Sequence, residues 1–176
     1  MNPPEISEPQ IIRPINSLLI PPEKFFIPKY QRGYRWTEKQ VTDLLVDVDS
    51  FSPITRDNQQ TSWYCLQPLV IKKNGDKWNL VDGQQRLTTI YLILYYLREG
   101  LSEAKKEATM LYSLEYETRK SVLDWVAVFD DYKKAEENID FLHIHKAYQT
   151  IKKWFHDNGI NEDKFRGKLL EDCKFI

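Results

Sequence analysis

The stretch LVDGQQRLTT, residues 80 to 89, joins two apolar segments through an acid, a glycine, two amides and an arginine. Residues 77–81 have the composition of a strand, and residues 73–76, KNGD, are typical of a type I′ hairpin turn connecting it to an extended segment at 64–72. The apolar residues that follow recur at helical spacing before Gly100: Leu87, Ile90, Tyr91, Leu94 and Leu97. DGQQR therefore lies at a predicted strand-to-helix junction.

Such a junction suits a phosphate. The first turn of a helix has unpaired backbone N–H groups and the positive end of the helix dipole. Gly83 would let an anion approach closely, and Arg86 offers a planar fork of donors. Asp82 is a candidate helix cap and a candidate Mg²⁺ ligand, while Gln84 and Gln85 can donate or accept hydrogen bonds without adding charge. In an arbitrary sequence, however, a DGxxR stretch more often marks a tight turn and a solvated charge.

A second unusual stretch, IPKYQRGYRW at residues 27–36, combines three aromatic residues with Lys29, Arg32 and Arg35. Aromatic rings interleaved with arginines can stack on a base and bind phosphates. The alternative is that the aromatic residues are core anchors, and this is the favoured interpretation for Trp36, which stands where a hydrophobic staple to Val41 would place it.

The remaining pattern is mainly helical. Thr37 and Gln40 have capping-box spacing ahead of a periodic apolar segment at 41–48. Further helices are predicted around residues 122–129, over 144–155 with an end near Asn158-Gly159, and after Asn161. Short extended segments are predicted at 15–20, 25–28 and 173–176. We therefore expect a flexible arm at 1–12, a nucleotide-binding core at 13–100 and a helical extension at 101–176, whose abrupt end suggests further C-terminal domains.

Composition excludes several classes. The chain has 176 residues, a formal net charge of -1 and 41% hydrophobic residues, so it is not a bulk basic protein, and DNA binding would need a local patch. No apolar run is long enough to span a bilayer, and no secretory signal precedes residue 20, which predicts a cytoplasmic protein without a membrane partner. The two cysteines do not have zinc-site spacing, and His143 and His145 diverge on a helix.

The two stretches together resemble the N-terminal domain of GmrSD-type proteins, a family of modification-dependent (type IV) restriction and phage-defence systems. The similarity extends over nearly the whole chain, with weaker family features in LEYETR at 114–119 and HKAYQTI at 145–151. It implies an α/β (α+β) fold similar to the ParB and sulfiredoxin superfamily: a small mixed sheet with a helical C-terminal half.

The resemblance also implies roles for residues. The DGQQR motif takes the place of the ParB-type phosphate motif, and Gln31 and Arg32 match the preceding loop motif. The implied nucleotide-binding residues are Gln31, Arg32, Gly83, Gln84, Gln85 and Arg86. Asp82 and Arg86 are the catalytic candidates, with Asp82 as the Mg²⁺ ligand and Lys29 and Arg35 as further DNA or phosphate contacts. Family members hydrolyse nucleoside triphosphates with a divalent metal, and DNA is cleaved by a separate HNH-like C-terminal nuclease domain.

The sequence departs from these relatives in two ways. Gln84 and Gln85 stand where sulfiredoxin needs a cysteine, which argues against sulfinic-acid reduction, and no nuclease motif is evident. We therefore expect a regulatory domain that binds and hydrolyses nucleoside triphosphates, without nuclease activity of its own. The main alternative is a DNA-binding or modified-DNA-sensing module without catalysis, and a ParB-like small-molecule kinase is a distant third.

Overall fold

A computed structural model describes residues 12–55, 61–117 and 125–176. Its described strands form two small sheets. The four-stranded sheet has the order β4-β5-β2-β6 and contains β2 (Lys24–Ile27), β4 (Val70–Asn74), β5 (Lys77–Asp82) and β6 (Ser113–Tyr116). The three-stranded sheet has the order β1-β7-β3 and contains β1 (Arg13–Pro14), β3 (Tyr64–Cys65) and β7 (Cys173–Phe175). Pairing is mixed, because β2 runs parallel to both its neighbours whereas β4 and β5 form an antiparallel hairpin.

The described helices are α1 (Glu38–Ser50), α2 (Gln84–Glu99), α3 (Glu103–Ala108), α4 (Tyr132–Glu136), α5 (Ile139–Asn158) and α6 (Glu162–Gly167), which continues into a π-helical turn at Lys168–Asp172. The α+β fold class and the helical C-terminal half are thus confirmed. Both sheets also take one strand from residues 101–176, namely β6 and β7. None of the helices among the described residues is long and apolar enough to cross a membrane.

Helix α2 is the centre of the core. It is buried on most of its circumference, α5 and α6 pack against it, and the Thr88 hydroxyl lies 3.1 Å from the hydroxyl of Tyr116 in β6. The five residues predicted to form its apolar face are all buried, as are the predicted core residues of α1 and α5. The C-terminal strand, the αL glycine that ends α5 at Gly159, and the Asn161 cap of α6 also agree with the sequence.

Several local predictions were wrong. Residues Ile15–Leu18 form a 3₁₀ helix instead of a strand, since Ser17 and Arg13 satisfy nearby backbone carbonyls within this turn. The segment predicted as one strand at 64–72 is divided between the two sheets, because Gln67 adopts a positive φ of 66° and redirects the chain. The hairpin turn consists of Gly75 and Asp76, and of these only Gly75 has positive φ, as in a type II′ turn.

The predicted amphipathic segment near 122–129 is only partly described, and Val122 lies outside the described residues. Trp125 and Phe129 are buried as expected, whereas Val126 is exposed and Val128 takes its place in the interior. The predicted arm at 1–12 also lies outside the described residues, apart from the exposed Ile12.

Candidate functional site

The strand-to-helix junction is where the sequence predicts it: β5 ends at Asp82 and α2 begins at Gln84. Gly83 is the N-cap residue, with φ of 93° and ψ of 6°, a left-handed conformation that favours glycine. A Cβ at this position would lie 2.8 Å from Cδ1 of Leu69 and 3.3 Å from the carbonyl oxygen of Pro68. The absence of a side chain at Gly83 therefore allows Pro68 and Leu69 to pack closely against the start of α2.

Asp82 does not cap α2, contrary to one of its predicted roles. Its carboxylate Oδ1 accepts a hydrogen bond from the adjacent Gly83 N–H at 2.7 Å, and no side chain caps the helix. The first intrahelical bond runs from the Leu87 N–H to the Gly83 carbonyl at 3.0 Å. Among the described residues, no acceptor contacts the backbone N–H groups of Gln84, Gln85 or Arg86. Three consecutive donors are thus available at the positive end of a buried helix.

The residues that carry these donors line a cleft of about 280 Å³ between the α2 start, the loop at 28–36 and the loop at 66–69. Its lining contains every predicted nucleotide-binding residue: Gln31, Arg32, Gly83, Gln84, Gln85 and Arg86. Asp82 and Trp36 also line it, together with Gln67 and Pro68. Lys29 and Arg35 are not among the lining residues.

Arg86 is held between two surfaces at the edge of this cleft. Its guanidinium donates to the Gln67 side-chain oxygen and lies 5.9 Å from the Trp36 ring centroid. Burial lowers the pKa of the guanidinium, and the charge of the nearby Asp82 carboxylate opposes this effect. An arginine pKa has a wide margin above neutrality, so Arg86 is a fixed cation. A second hollow of about 190 Å³, lined by Asp43, Asp47 and Tyr64 among others, shares Arg86 and Trp36 with the cleft.

The two glutamines of the motif contact the protein backbone. Gln85 donates to the Gly33 carbonyl at 2.9 Å and accepts from the Arg35 N–H at 2.7 Å. Gln84 donates to the Arg32 carbonyl, and its Oε1 is buried without a hydrogen-bond partner among the described residues. Sequence reasoning missed the backbone contacts because spacing does not reveal which loop lies beside a helix.

The loop at 28–36 contributes cations of different kinds. Arg32 and Lys29 are exposed, and their side chains have no ion pair or hydrogen bond within the described residues. Arg35 instead forms an ion pair with Asp140, which is only 4% exposed, and it donates to the Tyr34 carbonyl at 2.7 Å. Gln31 donates to the Val81 carbonyl at 2.6 Å. Arg35 is therefore engaged with α5, whereas Arg32 is available at the cleft.

The aromatic residues of this loop differ in burial. Tyr34 is buried and its hydroxyl lies 2.8 Å from Oγ1 of Thr89, so it is a core residue. Trp36 is partly buried against the core, as its staple position predicts, and Tyr30 is 70% exposed. Only Tyr30 has the exposure expected of a ring that stacks on a base from outside.

The predicted Mg²⁺ ligand, Asp82, is exposed and lines the cleft, and it forms no ion pair in the described part of the chain, although its charge acts on the nearby Arg86. The described residues contain no cluster of three or more histidine, cysteine or carboxylate side chains that could hold a metal. His145 is buried with Nδ1 2.7 Å from the Val128 carbonyl oxygen, so it is a helix-packing residue.

Fold and cleft together define a mixed α/β domain in which an uncapped helix start lies beside a loop that carries Lys29, Arg32 and Arg35. The family model of the GmrSD restriction endonuclease N-terminal domain matches residues 15–176, so the chain belongs to this family. Among curated proteins, none matches the chain.

Proposed function

We propose that the cleft binds and hydrolyses a nucleoside triphosphate with Mg²⁺, and that this domain regulates a modification-dependent DNA restriction or antiphage system. The observation that supports it most strongly is the uncapped start of α2, where three residues whose backbone N–H groups have no acceptor in the described part of the chain line a cleft together with Arg32. Backbone donors and a guanidinium fork are a combination that suits phosphate oxygens.

The described residues suit a positioning mechanism. The N–H groups of Gln84 to Arg86 bind the phosphate oxygens, and the Arg86 guanidinium neutralises charge that develops during phosphoryl transfer. Arg32 supplies a second cation from the opposite loop. Asp82 would hold Mg²⁺ together with the phosphates, since this ion is commonly bound by one or two carboxylates and substrate oxygens, and it would supply further charge neutralisation.

In the complete system, the domain would act with DNA and with an HNH-like nuclease domain, in the same chain or in a partner. Cleavage would then depend on that domain, and nucleotide turnover would control it.

The test compares the wild type with Arg86→Ala in calorimetric titrations with ATP, GTP, CTP and UTP, each with and without Mg²⁺. Loss of a charge-assisted contact should weaken binding by about 1.5–3 kcal/mol, which is roughly 10- to 150-fold. The matched control is Arg166→Ala, because Arg166 pairs with Asp163 on α6 and does not line the cleft. Circular dichroism should show both variants folded.

Hydrolysis is tested separately, by phosphate release from whichever nucleotide binds. A folded wild type that binds none of the four nucleotides would disprove the phosphate site. Equal affinities of wild type and Arg86→Ala would disprove the role of Arg86.

A second candidate function, direct contact with DNA phosphates, is favoured by Lys29 and Arg32, which are exposed on one loop and whose side chains form no ion pair with any described residue. Such binding would weaken steeply as salt rises and would be insensitive to sequence, whereas nucleotide binding would need Mg²⁺ and Arg86. Filter binding of duplex DNA at increasing salt, on wild type and on Lys29→Ala with Arg32→Ala, separates the two functions.

A further inference from the structure

The loop at 28–36 is attached to α2 by the DGQQR glutamines. Gln85 makes two backbone hydrogen bonds, to Gly33 and Arg35, and Gln84 makes one to the carbonyl of Arg32. The segment that contains Arg32 is therefore fixed through its backbone, while the Arg32 side chain is left without a partner within the described residues. This arrangement fixes where the free guanidinium emerges beside the cleft.

The other side of the same loop rests on α5, more than one hundred residues away in sequence. Asp140, in the first turn of α5, forms an ion pair with Arg35 and is 4% exposed. It also lies directly against Gly33, where a Cβ would collide with its carboxylate. Its own N–H donates to the Asn138 cap at 2.8 Å, which places the carboxylate at a well-defined helix start.

We propose that Asp140 is a positioning residue of the nucleotide site. It acts through Arg35 and Gly33 to hold the loop against Gln84 and Gln85, and so sets the place of Arg32 at the cleft. The inference rests on the proposed function, but it concerns a residue outside the cleft. If the ion pair of Asp140 were purely structural, its loss would lower only the stability of the fold. If Asp140 is a positioning residue, its loss also reduces the contribution of Arg32 to triphosphate affinity.

The first experiment measures the loop without ligand. Hydrogen–deuterium exchange of the peptide containing residues 31–36 is compared between wild type and Asp140→Asn, which keeps the shape of the side chain and removes its charge. We expect faster exchange in this peptide, because the Arg35 N–H is bonded to Gln85 only while the loop is held in place. The control is Glu162→Gln, since Glu162 accepts from Tyr96 at 2.8 Å in the same half of the chain without touching the loop.

The second experiment is a double-mutant cycle on triphosphate affinity. Arg32→Ala should weaken binding about tenfold in the wild type and less than about twofold in Asp140→Asn, because the misplaced loop has already removed the Arg32 contact. Arg86→Lys, on the rigid α2, should have the same effect in both backgrounds. Unfolding midpoints of the same variants show whether stability follows a different pattern from affinity.

The outcomes are distinct. If the wild type binds no triphosphate, the proposed function fails, and the exchange experiment still tests whether Asp140 holds the loop. The positioning role is overturned if the wild type binds but Arg32→Ala lowers triphosphate affinity equally in the wild type and in Asp140→Asn. It is also overturned if hydrogen–deuterium exchange of residues 31–36 is the same in the wild type and in Asp140→Asn. If Asp140→Asn does not fold, Gly33→Ala replaces it, because the added Cβ pushes on the Asp140 carboxylate from the loop side, and the same cycle applies.

Discussion

Helices α1 and α2 begin in opposite ways. At the start of α1, Thr37 and Gln40 form a capping box, and the Gln40 side chain accepts from the Thr37 N–H at 2.8 Å. At the start of α2, the N-cap is Gly83, and the N–H groups of the first turn have no side-chain acceptor among the described residues. The chain therefore caps the start of α1 with its own side chains and leaves the start of α2 without a side-chain cap.

The difference shows where each helix obtains its stability. Helix α1 buries a single face, and its cap contributes locally. Helix α2 is buried over most of its length, so it tolerates an uncapped start that would be costly for a marginal helix. The free donors of α2 are thus supported by the burial of the rest of the helix.

The largest effect is expected from Gly83→Ala. An alanine in the left-handed conformation costs roughly 1–2 kcal/mol, and its Cβ would also press on Leu69 and Pro68. We expect the free energy of unfolding to fall by more than the conformational cost alone and triphosphate affinity to fall as well. Chemical denaturation and calorimetric titration measure the two quantities.

The matched control for this change is Gly75→Ala in the hairpin turn. Gly75 also has positive φ, 60°, but nothing lies within 4 Å of an added Cβ. Gly75→Ala should therefore lower the free energy of unfolding by the conformational cost alone, without a steric contribution. Triphosphate affinity should be unchanged. If Gly83→Ala and Gly75→Ala lower the free energy of unfolding by the same amount, the close packing around Gly83 does not contribute to the loss of stability in Gly83→Ala.

An intermediate effect is expected from Thr37→Ala, which removes the cap of α1. Loss of a Ser or Thr cap costs about 1 kcal/mol, which corresponds to a fall of about 2–4 °C in melting temperature for a domain of this size. Because no residue of α1 lines the cleft, triphosphate affinity should not change. A drop in affinity as large as that of Arg86→Ala would contradict the division between the two helix starts.

The smallest effect is expected at His143, which lies beside the loop that leads into α1. Burial, followed by the nearby Arg35 charge, lowers the pKa of His143, so the folded protein favours the neutral ring. The stabilisation is present above the ordinary histidine pKa of about 6.5 and is lost as pH falls through the lowered value. His143→Gln should flatten the decline of stability between about pH 7 and pH 5.

Denaturation curves at several pH values test this prediction. His156→Gln is the control, because His156 is exposed at the far end of α5 and pairs only with the neighbouring Asp157 among the described residues. An unchanged pH profile in His143→Gln would contradict the stated role.

Local patterns predicted the elements around the site well. The α1 cap, the α2 core residues and the β5 to α2 junction all follow from short-range spacing, which is set by helix and strand geometry. The roles of Gly159 as a C-cap and of Asn161 as an N-cap could also be predicted, because helix caps use few residue types.

Contacts between residues that are distant in sequence could not be predicted from local patterns. The ion pair of Arg35 with Asp140 joins positions 105 residues apart, and periodicity carries no information about which helix end meets which loop. The break at Gln67 was missed because a positive φ at a residue other than glycine, asparagine or aspartate has no local signature. The roles of Gln84 and Gln85 depend on the loop that lies beside them, so they too required the fold.

One contact links the cleft to the far end of the described chain. The Leu69 N–H donates to the Ile176 carbonyl at 3.0 Å, directly beyond β7, and the Leu69 side chain occupies the space in which a side chain at Gly83 would lie. Leu69 thus contacts both the segment that follows β7 and the residue that begins α2. A displacement of residue 176 would therefore be expected to change the packing at Gly83 through this single residue.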